Sequence, residues 1–356
     1  MSLQQLAIYN LRNIKRAEIQ PVSGLNLIYG DNAAGKTSVL EAVHVLATAR
    51  SFRTLHADQI INHDKESLIV TGIQESNTGI DKIGVERSKA GVRLRLNGQD
   101  INKTSLIAQK IPLQIINPEA HRLLEQGPKI RRKMLDWGVF HVEQQFSDIW
   151  RTYNRVLRQR NSALRQGNAK VAVILNPQLL ELANAIDGMR LHYVNRLQNY
   201  IKQYCGELFQ QTPEVEYFRG WNREKDLVDL LVAGIQADLD RGYTGYGPHR
   251  AEIRFKFDGK LAQTVLSRGQ QKMLVSSVIM AQIALFQEDT GRYCTLLVDD
   301  LPAELDNEHR QKLLEMLWRT KAQLFVTATE PGLVDLSPWK ISKMFHVEHG
   351  IISEVV

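Results

Sequence analysis

Gly30-Asp31-Asn32-Ala33-Ala34-Gly35-Lys36-Thr37 matches the phosphate-binding pattern G-x-x-x-x-G-K-[ST] at every fixed position. The motif follows an apolar run, residues 25–29, that predicts a strand, and it precedes a predicted helix over residues 38–47. In this context the glycines let backbone N–H groups and the helix N-terminus point at phosphates. Lys36 supplies a positive charge to the β- and γ-phosphates, and the Thr37 hydroxyl is a ligand for Mg²⁺. All eight residues are therefore predicted to bind a nucleotide, and ATP with Mg²⁺ is expected.

A second motif is an apolar strand that ends in two carboxylates, Leu296-Leu297-Val298-Asp299-Asp300. Such strands are common, but beside a phosphate loop this one predicts the metal-holding strand of an ATPase. Asp299 is then placed to hold the metal with Thr37, and Asp300 is placed to orient or deprotonate the attacking water. The predicted catalytic residues are Lys36, Asp299, Asp300 and, from a third motif, Ser267.

That third motif, Ser267-Arg268-Gly269-Gln270-Gln271-Lys272, comes before a helix predicted over residues 273–286. A Ser and a Gly at a helix start form an anion-binding nest, and an ordinary helix cap is the alternative. Because Lys36 already serves one nucleotide, a second anion site makes most sense if it closes over a nucleotide on another subunit. The order of phosphate loop, S-x-G-Q and D-D is typical of ABC-type ATPases.

The pattern along the chain predicts an α/β protein with a helical insertion. Further strands are predicted over residues 68–73, 80–86, 92–96, 111–116, 253–257, 295–298, 323–326 and 345–347. Helical periodicity covers residues 119–211, with one helix that starts at Phe146 and another over residues 178–210. The expected fold is an ABC-type ATPase head, with a mixed sheet and an antiparallel β region, plus an inserted, mainly α-helical lobe. We predict a head formed by residues 1–117 and 241–356, and a basic helical lobe formed by residues 118–240.

The composition indicates a globular protein, since 43% of the 356 residues are hydrophobic. No apolar run reaches the roughly 18 residues that a membrane helix needs. Residues 1–13 lack a basic start followed by an apolar stretch, so no secretory signal is visible and a cytoplasmic location is expected. Cys205 and Cys294 lie far apart in the sequence, which argues against a disulfide framework and against a Cys-rich zinc site.

The net charge of +6 comes from one segment of the chain. Residues 119–170 hold eleven Lys and Arg against five Asp and Glu. A neutral body with one basic segment suggests a surface that faces a polyanion, and a solvated helical face is the alternative. On the helix that starts at Phe146, helical spacing places Arg151, Arg155, Arg158 and Arg165 opposite the apolar face.

Several other motifs make the chain resemble one family of ABC-type ATPases. The residues Ser267–Lys272 resemble the S-x-G-Q-Q-[RK] signature of the RecF family of bacterial recombination mediators. Residues 117–136, with Arg131-Arg132 and Leu135-Asp136, are similar to another family stretch, as are Arg50-Ser51-Phe52-Arg53-Thr54 and Gly247-Pro248-His249-Arg250. Residues 297–306, LVDDLPAELD, resemble its D-D-x-x-S-E-L-D run, and residues 325–329 sit where the family has its switch strand.

The resemblance implies an ATP-dependent DNA clamp. Two subunits would sandwich two ATP molecules, with each phosphate loop opposed by the partner's signature motif. The residues implied to reach the partner's nucleotide are Ser267, Gly269, Gln270 and Asp306. Asp300 stands where transporter-type relatives carry Glu, and this shorter base implies slow hydrolysis. The resemblance implies that DNA stimulates hydrolysis and that hydrolysis releases the clamp.

The same resemblance implies that DNA binds without sequence preference, as duplex or at junctions of single strand and duplex. The expected DNA contacts are Arg131, Arg132, Lys133, Arg151, Arg155 and Arg158. The implied partners are a second copy of the chain, RecR, RecO and RecA, in gap repair, replication restart and SOS induction, with no membrane partner. Arg50, Arg53 and Arg250 suit ATP phosphates, DNA phosphates or internal ion pairs equally well.

Three other classes of ATPase are less consistent with the sequence. A transporter subunit would use far fewer residues between phosphate loop and signature. An SMC-type protein would carry long heptad coiled coils, and the helical segment here is too short for a rod. A nucleotide kinase has no use for the signature motif Ser267-Arg268-Gly269-Gln270.

Overall fold

Strands predominate in the first part of the protein. The computed structural model describes residues 2–54, 56–76, 79–208, 212–300 and 307–355. The strands of these ranges are β1 (Ser2–Leu11), β2 (Ile14–Ile19), β3 (Leu25–Tyr29), β4 (Ser67–Ser76), β5 (Gly79–Ser88), β6 (Val92–Leu96), β7 (Gln99–Ile101), β8 (Leu113–Ile116), β9 (Glu214–Phe218), β10 (Glu252–Phe257), β11 (Lys260–Leu261), β12 (Thr295–Val298), β13 (Gln323–Ala328), β14 (Ser342–Glu348) and β15 (Ile351–Val355).

The same ranges contain the α-helices α1 (Lys36–Thr48), α2 (Thr104–Lys110), α3 (Arg122–Glu125), α4 (Pro128–Val142), α5 (Phe146–Arg165), α6 (Ala169–Ile174), α7 (Asn176–Leu208), α8 (Leu227–Ala233), α9 (Ile235–Arg241), α10 (Ala262–Val265), α11 (Arg268–Thr290) and α12 (Asn307–Arg319). The α/β class with an inserted helical region is confirmed. Helix α7 includes Pro177, which the sequence analysis placed before the helix. A proline is tolerated in the first helical turn, where its missing N–H would have no intrahelical acceptor.

The chain divides into two compact units. One is drawn from residues 1–120 and 286–356, and the other from residues 121–285. Residues 241–285, which the sequence analysis assigned to the head, therefore pack within the unit that contains the helices α4 to α9. The division into a head of residues 1–117 and 241–356 and a lobe of residues 118–240 stays a prediction about functional parts.

The first unit contains two six-stranded sheets. One is antiparallel, with the strand order β2-β1-β4-β5-β6-β7, and the other is mixed, with the order β15-β14-β3-β13-β12-β8. The turn between β6 and β7 is Asn97-Gly98, and both residues have positive φ (52° and 84°), as a two-residue hairpin of the predicted kind requires. One hydrophobic cluster joins α1 to both sheets, through residues such as Leu6, Val43 and Phe325.

The mixed sheet positions the candidate site. Strand β3 pairs in parallel with β13 and β14, and β12 pairs in parallel with β13 and β8. Leu25, Leu27 and Ile28 of β3 and all four residues of β12 are buried, as expected for parallel strands covered on both faces. Because these strands point the same way, the loops that follow β3, β12 and β13 lie at one edge of the sheet.

The second unit combines helices with the three-stranded antiparallel sheet β11-β10-β9. The apolar face predicted for α5 is buried at Phe146, Tyr153 and Val156. Arg160 on the same face is also buried, and its guanidinium donates to Asp238 at 2.8 Å. Among the described residues, no helix is both long enough and apolar enough to cross a membrane.

Candidate functional site

The phosphate loop leaves β3 at Gly30 and enters α1 at Lys36. Gly30 and Gly35 have φ of 149° and 121°, which side chains disfavour. A Cβ at Gly30 would lie 2.2 Å from the Val347 carbonyl oxygen, and a Cβ at Gly35 would lie 2.9 Å from Asn13 Nδ2. Both glycines are therefore required by the loop itself and by the segments packed against it, strand β14 at Gly30 and the turn at Asn13 for Gly35.

Turns from both ends of the chain support this loop. Asn13 Nδ2 and the Gly350 N–H both donate to the Ala34 carbonyl oxygen, each at 2.9 Å. Asn13 Oδ1 accepts from the Ser38 hydroxyl at 3.2 Å. Sequence reasoning missed Asn13 and Gly350 because neither carries a motif and both lie far from the loop in sequence.

The Lys36 ammonium lies inside the curl of the loop. It donates to the carbonyl oxygens of Gly30 at 2.7 Å and Asp31 at 2.9 Å. Burial lowers the pKa of Lys36 from its ordinary value, whereas the carboxylates of Asp300, Asp299 and Asp31 act in the opposite direction. The loop thus holds a cation beside carboxylates, an arrangement that suits an anionic ligand accompanied by a metal ion.

Asp299 is the centre of a hydrogen-bonded cluster at the ends of β12 and β13. Its Oδ1 accepts from the Thr37 hydroxyl at 3.0 Å and from the Thr327 hydroxyl at 2.9 Å. The Asp300 N–H donates to Thr327 Oγ1 at 2.7 Å, and Asp300 has a φ of 51°. Burial raises the pKa of Asp299, while the Thr327 and Thr37 hydrogen bonds lower it.

Thr37 and Asp299 have the chemistry and spacing of Mg²⁺ ligands. Both present hard oxygen atoms, and Mg²⁺ is commonly bound by one or two carboxylates together with substrate phosphates and water. Thr37 Oγ1 and Asp299 Oδ1 are 3.0 Å apart. Neighbouring ligands of an octahedral ion with bonds of about 2.1 Å lie about 3.0 Å apart. The two residues therefore fit the predicted metal without rearrangement.

A cavity of about 510 Å³ opens over this cluster. The predicted residues that line it are Asn32, Ala33, Gly35, Lys36, Thr37, Asp299 and Asp300, and they are joined by Arg12, Asn13, Ser38, Arg53 and Thr327. Sequence reasoning left the role of Arg53 open and missed Arg12. Thr327 could have been predicted, because it is a polar residue at the end of β13, the strand that pairs with β12.

Glu41 lies on α1, the helix after the phosphate loop, and is fully buried. Its carboxylate binds two neighbouring segments, one at Arg12 and one at Ser51. It accepts from Arg12 Nη2 at 2.9 Å and from the Ser51 hydroxyl. Ser51 Oγ in turn accepts the Arg53 N–H at 2.9 Å. The segment that brings Arg53 to the cavity is therefore attached to the phosphate-loop helix.

The signature motif forms the start of α11. The Ser267 N–H donates to Gln270 Oε1 at 2.9 Å, and the Gln270 N–H donates to Ser267 Oγ at 3.3 Å, which is a reciprocal capping box. The helix-cap alternative is thus realised, but as an acceptor the Ser267 hydroxyl keeps its own proton to donate. Ser267 and Gln270 are exposed. Among the residues that the structure describes, a Cβ at Gly269 would meet no heavy atom within 4 Å beyond its chain neighbours and the backbone of its own helix. Asp306 lies outside the described residues.

The predicted DNA contacts differ in exposure. Lys133, Arg151, Arg155 and Arg158 are exposed, and Arg151 also pairs with Asp148 at 2.6 Å. Arg132 is partly buried, and its Nη1 donates to the Ala251 carbonyl oxygen at 2.7 Å.

The structure contradicts the predicted DNA contact of Arg131. This residue is 8% exposed, and its guanidinium pairs with both oxygens of Glu252, at 2.9 and 2.8 Å. Its Nη1 also donates to three backbone carbonyls, including that of Leu124 at 2.9 Å. A DNA phosphate has no access to a guanidinium held in this way, so Arg131 is not one of the DNA contacts.

The three arginines whose roles the sequence left open, Arg50, Arg53 and Arg250, lie in different surroundings. Arg53 lines the phosphate-loop cavity. Arg50 lines another cavity of about 660 Å³ in the same unit, together with Arg87 and Arg93. Arg250, in the second unit, lies over the ring of Tyr243, with its Cζ 4.8 Å from the ring centroid.

The chain is similar along its whole length to curated relatives. It is 39% identical to the DNA replication and repair protein RecF of Shewanella denitrificans and 40% identical to that of Shewanella baltica, with 100% of each chain covered. It is 39% identical to the RecF of Hydrogenovibrio crunogenus, with 98% of both chains covered.

Solved structures give the same family. A recombination mediator protein RecF with ATP, in the RecFOR pathway, has a TM-score of 0.88 at 25% identity, with 99% of this chain and 97% of that chain covered. An Smc head bound to ScpA has a TM-score of 0.59 at 12% identity, with 100% and 98% covered; this likeness concerns the fold alone and confirms the predicted ATPase-head class. The family model described as RecF/RecN/SMC N terminal domain matches residues 2–353. This chain therefore belongs to the RecF family of DNA replication and repair proteins.

Proposed function

We propose that this chain is an ATP-dependent, DNA-binding clamp of recombinational gap repair that works as a homodimer. The observation that carries the proposal is the convergence of Lys36, Thr37 and Asp299 on one cavity, at the carboxyl edge of a parallel sheet. The relatives support it, since they are named DNA replication and repair proteins and one solved relative holds ATP.

One half of each ATP site would come from the phosphate loop. The Gly30–Thr37 backbone and Lys36 hold the phosphates, and Asp300 orients the attacking water. Thr37 and Asp299 would hold Mg²⁺, which when bound neutralises charge on the phosphates. An Asp at position 300 is shorter than the Glu of transporter-type relatives, so slow hydrolysis is expected.

The other half of each site would come from a second copy of the chain. The Ser267 hydroxyl has a proton to donate, and Gln270 and Asp306 would lie at the same seam. Gly269 adds support, because a helical glycine costs about 0.5–1 kcal/mol relative to alanine and the described residues around it leave room for a side chain. A close approach by another molecule explains why the position has no side chain.

DNA would bind to the exposed basic side chains Lys133, Arg151, Arg155 and Arg158, with Arg132 beside them. Contacts of this kind neutralise phosphates and read little sequence, so binding is expected to depend strongly on salt. Binding at single-strand/duplex junctions would stimulate ATP hydrolysis, and hydrolysis would release the clamp.

The partners follow from the family. RecO and RecR would act with this chain to load RecA in the cytoplasm, during gap repair, replication restart and SOS induction. The support is that a solved relative is described as a recombination mediator of the RecFOR pathway.

Light scattering against ATP concentration, with and without duplex DNA, tests the proposal. The unsubstituted protein is expected to double its mass with ATP, and DNA should strengthen the change. Lys36→Ala should lose both ATP binding and dimerisation, whereas Ser267→Arg should keep ATP binding by the monomer and lose dimerisation. A mass that stays monomeric at saturating non-hydrolysable ATP analogue contradicts the proposal.

A further inference from the structure

The loop between α9 and β10 exposes two tyrosines and an arginine that the proposed function does not use. Tyr243 is 42% exposed and Tyr246 is 38% exposed. Other tyrosines of the same unit, such as Tyr153 and Tyr193, are buried. Binding residues are disproportionately found on loops that a rigid scaffold positions, so two exposed rings on one such loop are candidates for a binding site.

The loop is anchored at its centre, between the two exposed rings. Thr244 is fully buried, and both its N–H and its hydroxyl donate to Asn161 Oδ1, at 2.8 and 2.7 Å. The Thr244 hydroxyl also accepts from Arg160 Nη1 at 2.8 Å, and the Gly245 N–H donates to Asp238 Oδ1 at 2.9 Å. The rings are therefore presented from a fixed backbone, and little conformational entropy is lost when they bind.

A second anchor holds the end of the loop that carries Arg250. Tyr153 Oη lies 2.7 Å from His249 Nδ1, and His249 Nε2 lies 3.0 Å from the Thr244 carbonyl oxygen. Burial lowers the pKa of His249 to about 4, so this ring is neutral near pH 7. The imidazole thus serves as a neutral hydrogen-bonding link that fixes the backbone beside Arg250.

The exposed groups combine flat π faces with positive charge. The Arg250 guanidinium lies over the Tyr243 ring, with 4.8 Å between Cζ and the ring centroid. Residues 241–250 include Arg241 and Arg250 and no Asp or Glu. Arg165 of α5 passes beside the loop, because a Cβ at Gly242 would lie 3.0 Å from its Cγ. Arg165 is exposed, so the charge of the loop continues onto the basic side of α5.

We infer that the loop of residues 241–250, with Arg165, is a platform on which unpaired bases of single-stranded DNA stack. Aromatic rings and guanidinium planes accept any base, and neighbouring arginines hold the phosphates of the strand. A paired base is shielded within its stack, so the platform would select single strand over duplex. The inference rests on the proposed DNA binding and adds a site for the unpaired strand of a junction.

The test compares variants of the full-length protein on an oligothymidylate of about 15 nucleotides, long enough for such a site, and on a blunt duplex of matched length. Tyr243→Leu should weaken binding of the oligothymidylate about five- to a hundredfold, since stacking on one ring is lost. Binding of the blunt duplex should stay unchanged. Tyr243→Phe keeps the ring and is the matched control, with affinity within about twofold of the unsubstituted protein.

An abasic oligonucleotide separates stacking from phosphate contacts. The unsubstituted protein should bind it at least as weakly as Tyr243→Leu binds the oligothymidylate, because the abasic strand loses stacking on every ring of the platform. Equal losses on single strand and duplex, no loss on either, or the same loss on the abasic strand would overturn the platform. If the unsubstituted protein bound neither DNA, the proposed function itself would fail.

Photocrosslinking tests the platform in the unsubstituted protein, so its result does not depend on whether a variant folds. An oligonucleotide that carries 5-iodouracil should crosslink to the peptide that contains Tyr243 and Tyr246. Crosslinks found only elsewhere on the chain would also overturn the inference.

Discussion

Replacing Gly269 by alanine should affect the monomer and the ATP-bound dimer in opposite directions. Gly269 lies in the first turn of α11, and within the described ranges a Cβ there would meet no heavy atom within 4 Å outside its own helix and its chain neighbours. Alanine therefore fits the monomer without strain, and in a helix it is favoured over glycine by about 0.5–1 kcal/mol. The thermal midpoint without nucleotide should rise by about 1–3 °C.

The dimer should instead be weakened, because the added methyl group occupies the space through which the partner's phosphates approach. Overpacking of a close contact costs about 1–3 kcal/mol, and a symmetric dimer meets this cost at both of its ATP sites. The sum of about 2–6 kcal/mol corresponds to a dissociation constant raised at least about thirtyfold.

Two measurements and one control decide this prediction. Thermal unfolding without nucleotide reports the monomer, and sedimentation velocity with a non-hydrolysable ATP analogue reports the dimer. Gly188→Ala is the matched control, since Gly188 is an exposed helical glycine of α7 and its Cβ would also meet nothing within 4 Å. The thermal midpoint of both variants should rise, but only Gly269→Ala should dimerise more weakly than the unsubstituted protein. If both dimerise equally well, Gly269 is not at the seam, and the reasoning from its empty surroundings is refuted.

Three further variants test other parts of the proposal. Lys36→Ala should abolish or severely weaken ATP binding, which a fluorescent nucleotide titration measures; unchanged affinity would count against the site. Asp299→Asn should raise the nucleotide-free thermal midpoint near pH 7, because burial raises the pKa of Asp299 and its ionised form therefore disfavours the folded state. This gain in thermal midpoint should fade as the pH falls toward 3.8, the ordinary pKa of an aspartate. A gain that does not depend on pH would contradict this prediction. Charge reversal at Arg151, Arg155 and Arg158 should lower the salt dependence of DNA binding by about one unit of slope for each lost phosphate contact, and an unaltered slope would place the DNA site elsewhere.

The sequence predicted those elements whose signal is local. The phosphate loop and the strand over residues 295–298 were found because apolar runs end abruptly in glycine or carboxylate. Strand β1 was not individually predicted, because Gln4 and Gln5 interrupt its alternation and a bulge shifts its register between Leu3 and Gln5. Local patterns do not encode such a shift, which depends on pairing with β4.

The sequence did not predict which charged residues are buried. Helical spacing identified the exposed face of α5 correctly at Arg155 and Arg158, because one helix decides which way they point. Arg131 was misjudged because its partner Glu252 is more than a hundred residues away. The same reason hid Arg160, whose partner Asp238 lies on α9. Without a signal for the partner, a buried arginine has the same appearance in sequence as one that binds DNA.

The position of β3 in the mixed sheet has a consequence for synthesis of the protein. Both hydrogen-bonded neighbours of β3 come from β13 and β14, which the ribosome makes about three hundred residues later. Such distant pairing is slow to form and leaves the strand before the phosphate loop unpaired in a nascent chain. An incomplete chain should therefore not bind nucleotide, so a stalled or truncated product should not form the ATP-bound dimer that we propose.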